Sequence, residues 1–264
     1  MRMRRSTLFL FTTIVALLSL GGVALAATIQ CSGGECLGTE EDDDMQGTSV
    51  RDVMNGLGGS DTMHANGGDD YASGGDGDDV AYGGGGNDLV GGGTELQDGG
   101  VVANKLYGGS GDDVVQGGWA GVHDVMYGGD GNDRMVGEFG VDIIYGGDGE
   151  DRLESADDCY VSVAQPDDTL YGGPGNDELL PRDGNGIAYG NEGDDLVLGN
   201  CLGQVDVYSG KGSDTIYSAE EEGGNPGIPD YIDCGPGRDT VYFQADFDTI
   251  RSCEVKQPFS PTPP

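Results

Sequence analysis

The chain has 264 residues, of which 53 are Gly and 48 are Asp or Glu against 12 Lys or Arg, giving a formal charge of −36. Self-repulsion on that scale opposes compaction, and nucleic acid and anionic membrane surfaces are poor partners because both need a basic footprint. A cation is the natural partner, and glycine at this level signals disorder unless it recurs with a period.

The first element is residues 1–26. Met1-Arg2-Met3-Arg4-Arg5 is a short basic segment, the run Leu8 to Leu20 is apolar, and Ala24-Leu25-Ala26 fits the small-x-small cleavage pattern. The segment therefore reads as a secretory signal peptide, and the protein is expected to be secreted and extracellular. The apolar run is short for a membrane span and nothing later is long enough, so no span is expected after cleavage. Six Cys lie beyond the signal and suit an oxidising compartment. Proximity favours Cys31–Cys36 and Cys234–Cys253, which leaves Cys159 and Cys201 to each other; none of the spacings is that of a zinc site. Residues 27–37, with the first of these pairs, read as an N-terminal cap.

From 38 to 251 the chain repeats. Setting GGDGDDVAY (74–82) over GGGGNDLVG (83–91) gives the template G-G-x-G-x-D-x-U-x, with U apolar. The frame runs back to Gly38 with Asp43, Asp52, Asp61 and Asp70 at position six and Met45, Met54, Met63 and Ala72 at position eight. Forwards it continues to Arg251, making about twenty-one units, with Val90, Val115, Met135, Leu153, Leu179, Val197, Ile216 and Val241 at position eight. A disordered polar tract would not keep one aliphatic residue at a fixed place for that distance.

Counted from 38, even units are nine residues long, and the insertions fall in the odd units 92–107, 117–127, 155–171, 199–208 and 218–233. Position nine is Tyr82, Tyr107, Tyr127, Tyr145, Tyr171, Tyr189 and Tyr208 in seven successive odd units, whereas the even units between them carry Gly91, Gln116, Val136, Glu154, Leu180 and Leu198. The structural repeat is therefore eighteen residues, two units to a coil, which predicts an all-β fold: a parallel β-roll, a right-handed β-solenoid. Positions one to six are expected to turn and seven to nine to form a short strand, with eight pointing inward and seven and nine outward. Even turns line one edge and odd turns the other.

The chemistry follows from the turn. Glycine at positions one, two and four allows backbone angles closed to other residues, so carbonyl oxygens can face a common point, and Asp at position six adds a carboxylate. Calcium takes six to eight hard oxygens, more than one turn offers, so the next coil must supply the rest. The repeat is identified as resembling the RTX, or haemolysin-type, calcium-binding nonapeptide family. That resemblance implies several Ca2+ ions held between adjacent coils. The matching metal ligands are Asp70, Asp79, Asp88, Asp113, Asp133, Asp151, Asp177, Asp195, Asp214 and Asp239. On the odd edge only Asp79 sits in a complete motif. Asp124, Asp142, Asp168 and Asp230 lie in altered turns, and Asn104 and Gly186 replace the carboxylate.

Ion binding then becomes folding free energy, because without it the carboxylates repel and the thin interior cannot offset chain entropy. No His-Glu-x-x-His or Gly-x-Ser-x-Gly is present, and His64 and His123 lie at unrelated places, so the chain is expected not to be an enzyme. A structural or extracellular-matrix role is the first expectation. The other is a calcium-dependent adhesion module that meets a cell-surface or carbohydrate partner through the tyrosine row or the odd-edge loops, including Trp119 and the Cys159 loop. Residues 252–264 read as a C-terminal cap followed by a flexible Pro-rich tail from Gln257 to Pro264.

Overall fold

One apolar residue in nine cannot fill a globular core, but it can form a continuous seam if each coil stacks on the last. The computed structural model describes residues 27–93, 103–118, 123–156, 168–182, 185–199, 204–218, 229–243 and 248–258. Among them, twenty-four strands form two twelve-stranded sheets, and successive strands alternate between the two. Pairing is parallel and in register with the repeat. Val80–Gly85 lies between Thr62–Gly67 and Lys105–Ser110 in the first sheet, and Leu89–Gly93 lies between Tyr71–Asp76 and Val114–Gly118 in the second. The insertions do not disturb this register: Leu106, at the end of an extended unit, still faces Ala81 on one side and Met126 on the other.

Position eight points inward throughout. Met45, Met63, Val90, Leu106, Met126, Ile144, Leu170, Val197 and Ile216 are fully buried, and they form one seam along the roll between the sheets. The strands depart from the expected length. In the second sheet Arg134–Val136, Arg152–Glu154 and Glu178–Leu180 span positions seven to nine. In the first sheet Val125–Asp130 and Ile143–Asp148 run on through positions one to three of the following even unit. Those residues pair as well, Gly129 with Gly147 and Asp130 with Asp148, so on the even edge the turn shrinks to positions four to six. The even turns also stack directly, the position-four N–H donating to a position-three carbonyl of the next coil, as from Gly131 to Asp148 at 2.8 Å.

The ends continue the roll. Ala27–Gln30 pairs with Asp43–Gln46 and Gly34–Leu37 with Asp52–Gly58, so residues 27–37 form one further coil whose Ile29 and Cys36 extend the seam. A Cys31–Cys36 disulfide ties its two strands together. At the other end Cys234 and Cys253 are bonded, and Val255–Pro258 pairs with Thr240–Phe243. Gln257 and Pro258 thus belong to the last strand and not to a mobile tail. Proline suits that place, since an edge strand leaves one side of its backbone without a partner. Trp119, Cys159, Cys201 and residues 259–264 lie outside the described residues.

On the outer face of the first sheet, His64, Tyr82, Tyr107, Tyr127, Tyr145, Tyr171, Tyr189 and Tyr208 stack in one column. Their centroids are 4.6 to 5.0 Å apart and neighbouring rings lie within 12° of parallel. The spacing is that of the strands themselves, so the sheet dictates the stack. Ring faces are covered by neighbouring rings, and the column shows solvent its edges. Tyr231 ends it, tilted by 44°.

Candidate metal centre

The position-six aspartates are held where the strand enters the roll, and the fold buries them. Asp52, Asp70, Asp88, Asp113, Asp133, Asp151, Asp177, Asp195, Asp214 and Asp239 are each at most 4% exposed. Each carboxylate beyond the first takes one bond from the coil before it. The Asp52 N–H donates to Asp70 Oδ1 at 2.7 Å, Asp88 to Asp113 at 2.7 Å, Asp133 to Asp151 at 2.8 Å and Asp195 to Asp214 at 3.0 Å. The remaining even coils repeat the bond without a gap, and the last rung is made by Glu254, whose Oε2 accepts the Asp239 N–H at 3.0 Å.

The odd edge carries a second ladder that is interrupted. It runs from Asp43 through Asp61, Asp79, Asn104, Asp124 and Asp142 to Asp168. Gly186 and Val205 then occupy position six, and the ladder resumes at Asp230 and Asp248. Asn104 keeps the rung because its amide oxygen accepts the Asp79 N–H at 3.0 Å, but it brings no charge.

The second carboxylate oxygen behaves in two ways, and position two decides which. In the turns starting at Gly38, Gly47 and Gly117, the amide of position two donates to it: Thr39 to Asp43 Oδ2 and Thr48 to Asp52 Oδ2 at 2.6 Å, and Gly118 to Asp124 Oδ2 at 2.7 Å. None of these three residues has a positive φ. Where position two is left-handed, as at Asn66, Gly84, Gly109, Gly129, Gly147, Gly173 and Asn191, that bond is absent. Oδ2 of Asp70, Asp88, Asp113, Asp133, Asp151, Asp177 and Asp195 is then buried without a hydrogen-bond partner. A buried carboxylate oxygen with no donor is costly, and seven of them in a row on one edge mark a place for a cation.

What stands beside that oxygen is also hard. A Cβ built on Gly128, at position one, would lie 2.3 Å from Asp133 Oδ2 and 2.4 Å from the Gly146 carbonyl of the next coil. The same two oxygens crowd Gly83, Gly108, Gly146, Gly172 and Gly190. Position one therefore needs glycine for space and not for its φ, which is a correction to the expectation for that position. Among the described residues of the repeat, left-handed angles are confined to positions two and four. On the even edge the exceptions at position one are Ala65, Ser209 and Cys234, and the Ser209 hydroxyl donates to the Cys234 carbonyl at 2.9 Å.

Burial pushes the carboxyls of Asp88, Asp133 and Asp177 up to about 6 and those of Asp113, Asp151 and Asp195 up to about 7; the amide from the preceding coil pulls the other way. Among the described residues no three His, Cys, Asp or Glu side chains converge as a metal cluster. The donor set is thus one carboxylate per turn with backbone carbonyls, all oxygen, which suits calcium and not zinc. Asp79 shares the odd ladder with Asp61 and Asn104.

Position five is a site feature that the repeat template had left as any residue. The Asp112 Oδ1 accepts the Asn132 N–H at 2.9 Å, Asn132 Oδ1 that of Glu150 at 2.8 Å, and Asn176 Oδ1 that of Asp194 at 2.8 Å. These bonds reach forward one coil, whereas those of position six reach back.

A comparison with protein families matches the RTX calcium-binding nonapeptide repeat over residues 37–72, 64–94, 98–120, 122–157 and 167–188, together more than half of the chain. A search of curated proteins finds no match. RTX repeats imply calcium binding, and two ladders of buried carboxylates between coils are consistent with several ions. The chain belongs to the RTX calcium-binding nonapeptide-repeat family.

Proposed function

We propose that this is a secreted, non-enzymatic calcium-binding roll with a structural or extracellular-matrix role, exported by removal of residues 1–26 and folded by the ions it binds. The observation that carries the reading is the even-edge row of buried Oδ2 atoms without a partner, Asp70 to Asp195. Asp70, Asp88, Asp113, Asp133, Asp151, Asp177, Asp195, Asp214 and Asp239 hold the ions on the even edge and Asp79 on the odd edge, each with carbonyl oxygens of its own turn or the next coil. Bound calcium supplies the positive charge that lets these carboxylates stay ionised when buried. The chain's part is to aim them: position two turns its own amide away, and position one leaves room for the oxygen.

The disulfides at both ends fit an oxidising, extracellular setting. The ring column favours a structural reading of the tyrosines, since stacked faces leave none free to lie against a sugar. Equilibrium dialysis of the chain from Ala27 onward is expected to count about eight ions on the even edge if neighbouring even turns share each one, with the ion at Asp79 in addition. One Asp-to-Asn change on the even edge should lower the count, and a count unchanged by every such change would remove these residues as ligands.

A further inference from the structure

The first rung of each ladder is incomplete. From Asp61 onward, Oδ1 of a position-six carboxylate takes the backbone N–H of the coil before it, as Asp61 takes that of Asp43 at 2.8 Å. Oδ1 of Asp43 is buried and has no partner, in a residue only 3% exposed. Its Oδ2 is already used, accepting from the Thr39 N–H at 2.6 Å and the Thr39 hydroxyl at 3.0 Å. The residue placed opposite Asp43 in register is Ala27. Its nitrogen is where the missing donor should be, but a peptide nitrogen has one hydrogen, and this one goes to the Asp42 carbonyl at 3.2 Å.

The sequence puts a cleavage point between Ala26 and Ala27. Hydrolysis there adds one water across the amide and leaves a carboxylate on Ala26 and an ammonium on Ala27, with a signal-cleaving protease as catalyst. We propose that the new α-ammonium of Ala27 completes the odd ladder by pairing with Asp43 through Oδ1 while keeping the Asp42 carbonyl. One nitrogen with three hydrogens and a charge then does what a peptide N–H does in later coils, so removal of the leader locks the first coil. The inference rests on the export reading above.

Asp52 provides an internal comparison. Its Oδ1 is also buried without a partner, and it lies opposite Gly34, which stays inside the chain after cleavage. Processing therefore changes the odd ladder and leaves the even one as it was.

The test compares, in saturating calcium, chains that start at Ala27 and at Ala26, each with Asp43 or with Asp43→Asn. The extra residue moves the ammonium about 3.8 Å along the chain. NMR titration of the Ala27 amine should give a pKa about one unit above the usual 7.7–8.0, a tenfold gain in proton affinity that Asp43→Asn abolishes. Glu35, Glu40, Glu41, Asp42 and Asp44, on the strands and turn around it, raise the value in both forms, so the difference isolates Asp43. Asp52→Asn should leave it unmoved. Hydrogen exchange of the Met45 amide should be slower in the Ala27 form than in the Ala26 form, a comparison that needs no substitution. An amine pKa indifferent to Asp43→Asn, or equal protection in the two forms, overturns the pairing. An exported protein whose mass places its first residue elsewhere overturns the proposal through the export reading, which separates the two failures.

Discussion

The Asp133 N–H donates to Oδ1 of Asp151 at 2.8 Å, one coil further on, while Oδ2 of Asp151 is buried with no partner. One carboxylate thus has two tasks: one oxygen fixes the spacing of the coils and the other waits for a cation. Separating the tasks is experimentally simple. Asp151→Asn keeps the acceptor for Asp133 and removes the charge, so it should raise the calcium midpoint of folding by roughly threefold to tenfold. Asp52→Asn should move the midpoint far less, because Oδ2 of Asp52 already accepts the Thr48 N–H. Calcium titrations followed by circular dichroism check both, and equal effects would show that position two does not set the role of the turn.

Position four tests the stacking of turns. Gly175 has a φ of +148°, and a Cβ on it would lie 1.5 Å from the Gly149 carbonyl, a backbone atom that cannot rotate away. Gly175→Ala should therefore break the roll locally and sharply lower the thermal midpoint in calcium. Pro174→Ala, at the exposed position three next to it, should change little.

Much of this architecture was legible in the sequence. Position eight gave the seam from Met45 to Val241, and the Tyr82-to-Tyr208 alternation gave the eighteen-residue coil. The row of position-six aspartates was legible too, but their burial was not, because the partner of each carboxylate is an amide one coil away. That distance in sequence is 18 residues for Asp133 and Asp151 and 25 for Asp88 and Asp113, so no local pattern reveals it. The position-five ladder did leave a signal, Asp69, Asn87, Asp112 and Asn132 in consecutive even units, and variation in the other units hid it. Residues 27–37 read as a cap because they carry no position-six Asp and hold a close Cys pair, although Ile29 and Cys36 fall where position-eight residues belong.

The tyrosine column predicts a stability effect. Tyr145 lies between Tyr127 at 4.9 Å and Tyr171 at 4.8 Å. Tyr145→Ser removes both contacts and should cost about 1–3 kcal/mol at roughly 0.5–1.5 kcal/mol per pair. Thermal unfolding in saturating calcium measures it. A triple change of Tyr127, Tyr145 and Tyr171 to Ser that left stability untouched but abolished attachment to cells would favour the adhesive role.

The pH response has opposite signs with and without calcium. Asp113, Asp151 and Asp195 are pushed up to about 7 in the calcium-free roll, above the unfolded value of 3.8, chiefly by burial. The folded state then binds more protons than the unfolded one, so calcium-free stability falls as pH rises from about 4 to about 7. Calcium needs the ionised form, which the disordered calcium-free chain already has at pH 7, so binding coupled to folding should release protons, and the calcium midpoint should rise, only as pH falls towards the unfolded value of 3.8. Titration calorimetry in buffers of different ionisation enthalpy reads the released protons directly. Substantial release at pH 7 would mean that a folded roll with protonated ladder carboxyls forms before the metal arrives.

The central claim is that metal binding and folding are one event. The most direct measurement is a far-ultraviolet circular-dichroism titration of the chain from Ala27 onward, from excess chelator to millimolar calcium. The expected result is a largely disordered spectrum in chelator and a cooperative change to a β-rich one as calcium is added. The same β-rich spectrum in excess chelator would contradict it.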